Sequence, residues 1–428
     1  MSRKLLSVLL AIAMVFCMFA LAACADEEST GGDQTSGNQE GQGAANEDIK
    51  IGVILLGDEN EGYTAAHIDG IEAAAEALNL SDDQIVWRYN IPENESCLDA
   101  AMELVDAGCE LIFSNSYGHQ SFMQQAAGEV PDVTFVAMTG DTAVTSGLDN
   151  FCNAFTKVFE SRYVSGVVAG MKLAELVEEE QLTDANYDED GNILIGYVGA
   201  YPYAEVVSGY TAFFLGIQSI VENVAMQVQF TNSWFDIAEE GEAANMLMSN
   251  GCVIIGQHAD STGAPAAVQA AHENGTLAYS VGYNIDMLSV APDVALTSAT
   301  NNWAVYYEYA ISTMQKGEKL PQNWAEGYEQ DAVAITELGT ACAEGTAEKV
   351  EEVENAIKSG EFHVFDITTF TVNGEQVDSC VVDLNNNYET TDPEDEEAIW
   401  DGYFHESELR SAPSFALEID GITKLNDD

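Results

Sequence analysis

The side chains in this sequence best suited to chemistry are aromatic and short polar residues that recur in loops just after apolar runs. Gly57-Asp-Glu-Asn-Glu-Gly-Tyr63 follows the run Ile51–Leu56, with His67 one helical turn on. Ser114-Asn-Ser116-Tyr117-Gly118 follows Leu111-Ile-Phe113. Further along, Ala200-Tyr-Pro-Tyr203, Thr231-Asn-Ser-Trp234-Phe-Asp236, Gln257-His-Ala-Asp260-Ser261 and Gly282-Tyr-Asn284-Ile-Asp286 occupy equivalent places. Rings offer flat faces for stacking, and a few amides, hydroxyls and carboxylates can read the edge of a planar heterocycle. That is the chemistry of binding.

Covalent chemistry lacks a carrier. There is no G-x-S-x-G, no H-E-x-x-H, no Walker loop and no G-x-G-x-x-G after a strand. His272-Glu273 has no second histidine and precedes Asn274-Gly275, which reads as a helix end. Asn186-x-Asp188-x-Asp190-Gly191 matches the first half of a calcium loop, but the twelfth position is Tyr197, inside an apolar run, where a bidentate Glu is required. A polar turn before a strand is expected instead. No catalytic residue, cofactor or metal is assigned, and the chain is not read as an enzyme.

The elements that position these loops alternate. Short apolar runs at Ile51–Leu56, Gln84–Tyr89, Leu111–Phe113 and Val133–Ala137 read as strands, separated by helical patterns over Thr64–Leu78, Cys97–Ala107 and Ser121–Ala127. The alternation restarts with a long helix over Glu160–Glu178 and an acidic turn at Asp184–Gly191. Strands at Ile193–Val198, Met226–Phe230, Val253–Ile255 and Leu277–Val281 follow, with helices over Ala204–Val221, Ile237–Ser249 and Pro265–Asn274 between them. Such βαβ units build parallel sheets. Two successive α/β lobes, each a parallel sheet flanked by helices and joined near residues 155–160, describe a two-lobed periplasmic-binding-protein type I fold. Open parallel sheets bind ligands at the carboxyl ends of their strands, so two facing lobes put two sets of these loops across one cleft. The expected division is a first lobe over 49–157, to which the chain returns around 283–300, a second over 158–282, and 301–428 as lobe-completing helices, a C-terminal segment and an acidic tail.

The N-terminus sets the location. Ser2-Arg-Lys4 is followed by the uncharged apolar stretch Leu5–Ala23 and then Cys24, the pattern of a secretory signal peptide over residues 1–23. Leu21-Ala-Ala-Cys24 resembles the bacterial lipobox, which implies lipidation of Cys24. Residues 24–48 are Gly-, Ser-, Asn- and acid-rich and read as a flexible acidic linker. The bulk of the chain is therefore expected outside the cytoplasm, anchored to the cell membrane by its N-terminal lipid. With 73 acidic against 13 basic residues and a formal charge of −60, the surface repels nucleic acid and anionic lipid. Cys97, Cys109, Cys152, Cys252, Cys342 and Cys380 show no C-x-x-C and no neighbouring histidines, so no zinc or redox motif is present. A Cys342–Cys380 bridge is left open by the spacing.

Glu160-Ser-Arg-Tyr-Val-Ser-Gly-Val-Val-Ala-Gly170, Ile195-Gly-Tyr-Val-Gly199, Trp234-Phe-Asp-Ile-Ala-Glu239, Gln257-His-Ala-Asp-Ser261, Val281-Gly-Tyr-Asn-Ile-Asp286 and Asn302-Trp303 occur in that order, with Phe362-x-x-Phe365 beyond. Over Ile49 to about Asn373 the sequence thereby resembles the basic-membrane-protein family of ABC-importer lipoproteins, whose members include purine nucleoside receptors. The resemblance implies a purine-type ligand held between rings of the two lobes. It places Tyr63 as the first-lobe ring and Trp234 as the second-lobe ring, and it places Ser116, Tyr117, Asp260, Asn284, Asp286 and Trp303 among the binding residues. The nucleoside receptors carry Asp where Asn284 sits and Lys near Asn302-Trp303, both serving the ribose. Their absence here moves the expectation from a nucleoside to a free base such as adenine. The alternatives are a receptor of the same fold for a riboflavin-like compound, a sugar or a signalling ligand, or a nucleoside-cleaving enzyme. The expected partners are the small molecule, an ABC permease and the lipid bilayer that holds the anchor, with the chain acting as a monomer.

Overall fold

The computed structural model describes residues 48–385, 387 and 389–426. The expected signal peptide, Cys24 and all of the linker but Asp48 lie outside the described residues. Among those described, no helix is long and apolar enough to cross a membrane.

The first sheet is built from β1 (Ile51–Ile54), β2 (Ile85–Arg88), β3 (Leu111–Ser114), β4 (Thr134–Met138) and β5 (Phe151–Thr156), with α1 (Gly62–Leu78), α2 (Glu95–Asp106), α3 (Gln120–Glu129) and the one-turn α4 (Ala143–Ser146) between them. Its strand order is β11-β5-β4-β3-β1-β2, with β11 (Asn323–Glu326) arriving late in the chain, and every pairing is parallel. Successive side chains alternate between two cores. Ile51, Val53, Leu111, Phe113, Val136 and Met138 join one cluster, while Ile54, Ile112, Phe135 and Ala137 join the other. A sheet covered on both faces has no polar side to show, which is why its strands read as unbroken apolar runs.

The second sheet holds β6 (Ile193–Gly199), β7 (Val224–Phe230), β8 (Ile254–Gln257), β9 (Tyr279–Tyr283), β10 (Ala295–Asn301) and β12 (Val333–Ile335), in the order β12-β10-β9-β8-β6-β7. A C-terminal strand, Ile422–Lys424, extends it beyond β7 in parallel. Only β12 runs antiparallel. Helices α5 (Val158–Glu178), α6 (Ala204–Gln218), α7 (Ile237–Ser249) and α8 (Gly263–Glu273) flank it, followed by α9 (Trp303–Gln315) and α10 (Thr346–Lys358). The glycine-spaced stretch Glu160–Gly170 has a packing cause. A Cβ on Gly166 would stand 2.2 Å from the Phe213 carbonyl oxygen, and one on Gly216 would stand 2.2 Å from that of Tyr163. The two helices therefore touch backbone to backbone, which only glycine permits.

Two differences from the sequence reading follow from residue type. β5 and β10 are not expected as strands from sequence, because Asn153, Thr156, Thr297, Ser298 and Thr300 interrupt their apolar pattern; Asn153, Thr156 and Thr297 are buried with hydrogen-bond partners, as in Asn153 Oδ1 accepting from the Ala143 N–H at 2.6 Å. The return to the first lobe falls later than 283–300. β9 and β10 belong to the second sheet, and the chain re-enters the first lobe through α9 and β11. The half calcium motif is a turn: Asp188 Oδ1 accepts the Asp190 and Asn192 N–H groups at 2.9 and 2.8 Å. Cys342 and Cys380 are free, and Cys97, Cys109, Cys152 and Cys252 are buried thiols.

Candidate functional site

A cavity of about 230 Å³ lies where the carboxyl ends of both sheets meet. From the first lobe it is lined by Leu56, Gly57, Glu61 and Tyr63 after β1, Ser116 and Tyr117 after β3, and Thr139 after β4. From the second it is lined by Glu205 at the start of α6, Trp234 and Phe235 after β7, Asp260 after β8, and Tyr283 ending β9.

Each first-lobe group is held by its neighbours. Glu61 caps α1, its carboxylate accepting the Tyr63 and Thr64 N–H groups at 2.8 Å each, so the charge lies on the positive end of the helix. The Tyr63 hydroxyl donates to the Asn115 carbonyl, and its ring stands edge-on to His67 at 4.6 Å. Burial raises the Tyr63 phenol well above its usual range, so it stays a neutral donor. The Ser116 hydroxyl donates to Glu93 Oε1 at 2.5 Å, and the Tyr117 hydroxyl to Asp141 Oδ2 at 3.2 Å. Thr139 has φ +61°, an uncommon conformation for a β-branched residue, at the rim of the cavity.

The second-lobe wall is an aromatic platform. Trp234 meets Tyr201 at 5.3 Å in an edge arrangement, and Tyr201 stacks on Tyr203 at 5.1 Å. Behind Tyr283 lies Arg162, which is buried, with its guanidinium 3.6 Å from the ring centroid and one Nη donating to the Gln257 carbonyl at 2.6 Å. Burial pushes the Glu205 carboxyl up to about 7; Arg162 opposes the shift and Asp141 adds to it. Burial first, and then the carboxylates of Glu61, Glu205 and Glu240, hold Asp260 well above the usual carboxylate range. Burial and Arg162 keep His258 neutral, so its 3.3 Å contact with Glu205 is a hydrogen bond without an ion pair. The floor is thus built of carboxyl groups able to carry protons, which can donate to ring nitrogens as well as accept. Among the described residues no group of three or more His, Cys, Asp or Glu side chains is placed to hold a metal ion.

Of the residues named from sequence, Tyr63, Ser116, Tyr117, Trp234 and Asp260 line this one cavity. Three lie elsewhere. Asn284, at φ +63°, stands behind Asp260, donating from Nδ2 to its Oδ1 at 2.6 Å. Asp286 closes a turn by accepting the Leu288 N–H at 2.9 Å. Trp303 is fully buried, stacked on His67 at 4.4 Å, with Gly70 leaving room for it: a Cβ there would stand 2.9 Å from that of Trp303. Asn284, Asp286 and Trp303 border a separate depression with Gly70 and Ile285. The loop after β9 turns away once Tyr283 has entered the cavity, so its later residues face α1 and α9. Sequence reasoning missed Glu205, Thr139 and the Arg162 behind Tyr283. Glu205 is one acid among 73 acidic residues, and its one local signal is a place in the first turn of α6, just after the Tyr201–Tyr203 loop.

Two parallel-sheet lobes with a ring-lined cavity at the strand ends define a solute receptor. Residues 49–368 match the family described as Bmp: ABC transporter substrate-binding protein PnrA-like. The chain is 32% identical over 326 residues, 76% of this chain and 85% of the relative, to a purine-binding protein of Brucella abortus (strain 2308). It is 28% identical over 305 residues, 71% of this chain and 70% of the relative, to a putative ABC transporter glucose-binding protein of Haloferax volcanii. Its fold is similar to an ABC transporter solute-binding protein from Aeropyrum pernix K1, at TM-score 0.59 and 16% identity, covering 74% of this chain and 93% of that one. The chain belongs to the Bmp family of ABC transporter substrate-binding proteins.

Proposed function

We propose that this protein is the extracytoplasmic, lipid-anchored receptor of an ABC importer and that its cavity closes on a purine-type base such as adenine. The observation that carries this reading is the composition of the cavity wall: Tyr63 from one lobe, Trp234 and Phe235 from the other, and few charged groups, most of them carboxyls shifted toward their neutral forms. A flat heterocycle stacks between the rings, while Asp260, Glu205, Ser116 and Tyr117 read its edge. The purine-binding relative from Brucella supports the ligand class. Asn284, where the nucleoside receptors have Asp, is engaged with Asp260 and not with the cavity, which favours a base over a nucleoside. Closure presents the loaded form to a permease, with Cys24 holding the receptor at the membrane. Submicromolar binding requires roughly −8 kcal/mol, within reach of stacking plus a few buried hydrogen bonds.

A sugar is the second reading, supported by the name of the Haloferax relative. Native mass spectrometry of the purified, undenatured protein separates the two. A retained mass of a purine base supports the proposal, and a retained hexose overturns it.

A further inference from the structure

The family match ends at residue 368, and the chain beyond it is built into both lobes. On the second lobe, Ile422–Lys424 pairs with β7 and Phe415 stacks on Phe365 at 4.2 Å. Glu406, buried, accepts from the Ser208 hydroxyl of α6 at 2.6 Å and from the Ser414 and Phe415 N–H groups at 3.0 and 2.9 Å. Between these anchors residues 409–412 reach across to the first lobe. The Ser411 N–H donates to Asn323 Oδ1 of β11 at 2.9 Å, Asn323 Nδ2 donates to the Leu409 carbonyl at 3.2 Å, and Ala412 joins the first-lobe core.

The side chain between these contacts reaches toward the ligand site. Arg410 pairs with Asp141 Oδ2 at 3.6 Å, and both side chains are more than nine-tenths buried. The same Oδ2 accepts the hydroxyl of Tyr117, which lines the cavity. A buried carboxylate needs a compensating charge, and Arg410 supplies it from outside the family-matched region. Asp141 also raises the proton affinity of Glu205 on the opposite wall, so this charge is felt across the cavity.

We infer that Arg410 is a positioning residue of the ligand site: through Asp141 it fixes the Tyr117 ring, which makes the C-terminal segment a working part of the binding cavity. The inference rests on the reading of the cavity as a heterocycle site for its choice of probe.

The test uses the full chain and adenine as the probe, with calorimetric affinities for wild type, Arg410→Gln, Tyr117→Phe and the double variant. Arg410→Gln weakens adenine binding about tenfold in the wild-type background and changes it less than about twofold in the Tyr117→Phe background, since both act through one contact. Arg410→Lys, which keeps the charge without the planar fork, gives an intermediate loss. A loss of equal size in both backgrounds would show that Arg410 acts only through general stability and would overturn the inference. A second readout needs no ligand: in protein carrying ¹³C-labelled tyrosine, the Tyr117 ring signal, identified by its disappearance in Tyr117→Phe, moves in Arg410→Gln and in Arg410→Lys. If it stays in place in both, the inference fails. Wild-type protein that ignores adenine defeats the proposed ligand, and the ring signal alone then decides the role of Arg410.

Discussion

Replacing Trp234 by alanine removes one of the two faces on which the proposed guest rests. The indole is partly buried and already touches Tyr201 at 5.3 Å, so those contacts exist with and without ligand and cancel from the affinity. What the guest adds is burial of the remaining ring face. An aromatic side chain buries roughly 150–250 Å², and covering about half of it at about 25 cal/mol per Å² contributes ~2–3 kcal/mol. Stacking geometry adds about 1 kcal/mol. The sum corresponds to an affinity loss of a few hundredfold, reduced to about a hundredfold because the guest keeps some contact with Phe235. Titration calorimetry with adenine on wild type, Trp234→Ala and Trp234→Phe reads it directly, and the phenyl ring should keep affinity within about tenfold of wild type. If Trp234→Ala binds adenine as wild type does, with an unchanged unfolding midpoint, the ring does not stack on the guest and the reasoning is refuted.

Three further outcomes follow from the same geometry. Glu205 and Glu160 are both shifted by burial from 4.5 to about 7; the folded state therefore holds protons that the unfolded state releases, and the stability this contributes, full below about pH 4.5, is lost as pH rises through about 7. Unfolding midpoints measured from pH 5 to 8 should fall with pH, and Glu205→Gln should flatten that slope; an unchanged slope removes Glu205 from the account. Asn284→Asp replaces a donor to Asp260 with a second carboxyl, so the variant should lose about 1–3 kcal/mol at pH 8 and recover at pH 5 when one proton is shared, as followed by denaturant titration; equal loss at both pH values argues against the buried carboxyl contact. Cys24→Ser should abolish incorporation of labelled fatty acid and release the protein from the membrane fraction, whereas retention in that fraction would point to another anchor.

Much of the architecture was legible because burial dictates it. β1, β3 and β4 sit between two apolar layers and advertise themselves as continuous hydrophobic runs. β5 and β10 escaped because polar residues such as Asn153, Thr156 and Thr297 find hydrogen-bond partners inside the protein, a tertiary fact with no local pattern. The cavity was legible where rings and short polar groups stand in the segments that follow strands, as with Tyr63, Tyr117, Trp234 and Asp260. It failed at Asn284 and Asp286, one and three residues past β9, since a left-handed turn at Asn284 redirects the loop. Arg162 and Glu205 were hidden for different reasons: one lies in the second turn of α5 with no local sign that it packs behind Tyr283, the other among abundant acids. Arg410 reaches the site from a segment more than 250 residues along the chain from Asp141, a juxtaposition only the folded chain reveals.

The central claim is that loops from both sheets enclose a flat base between Tyr63 and Trp234. The most direct measurement is a crystal structure of the protein grown with adenine. The account predicts the base sandwiched between those two rings, with its edge facing Asp260 and Glu205. Adenine bound outside this cavity, or a cavity that stays empty at saturating adenine, would contradict it.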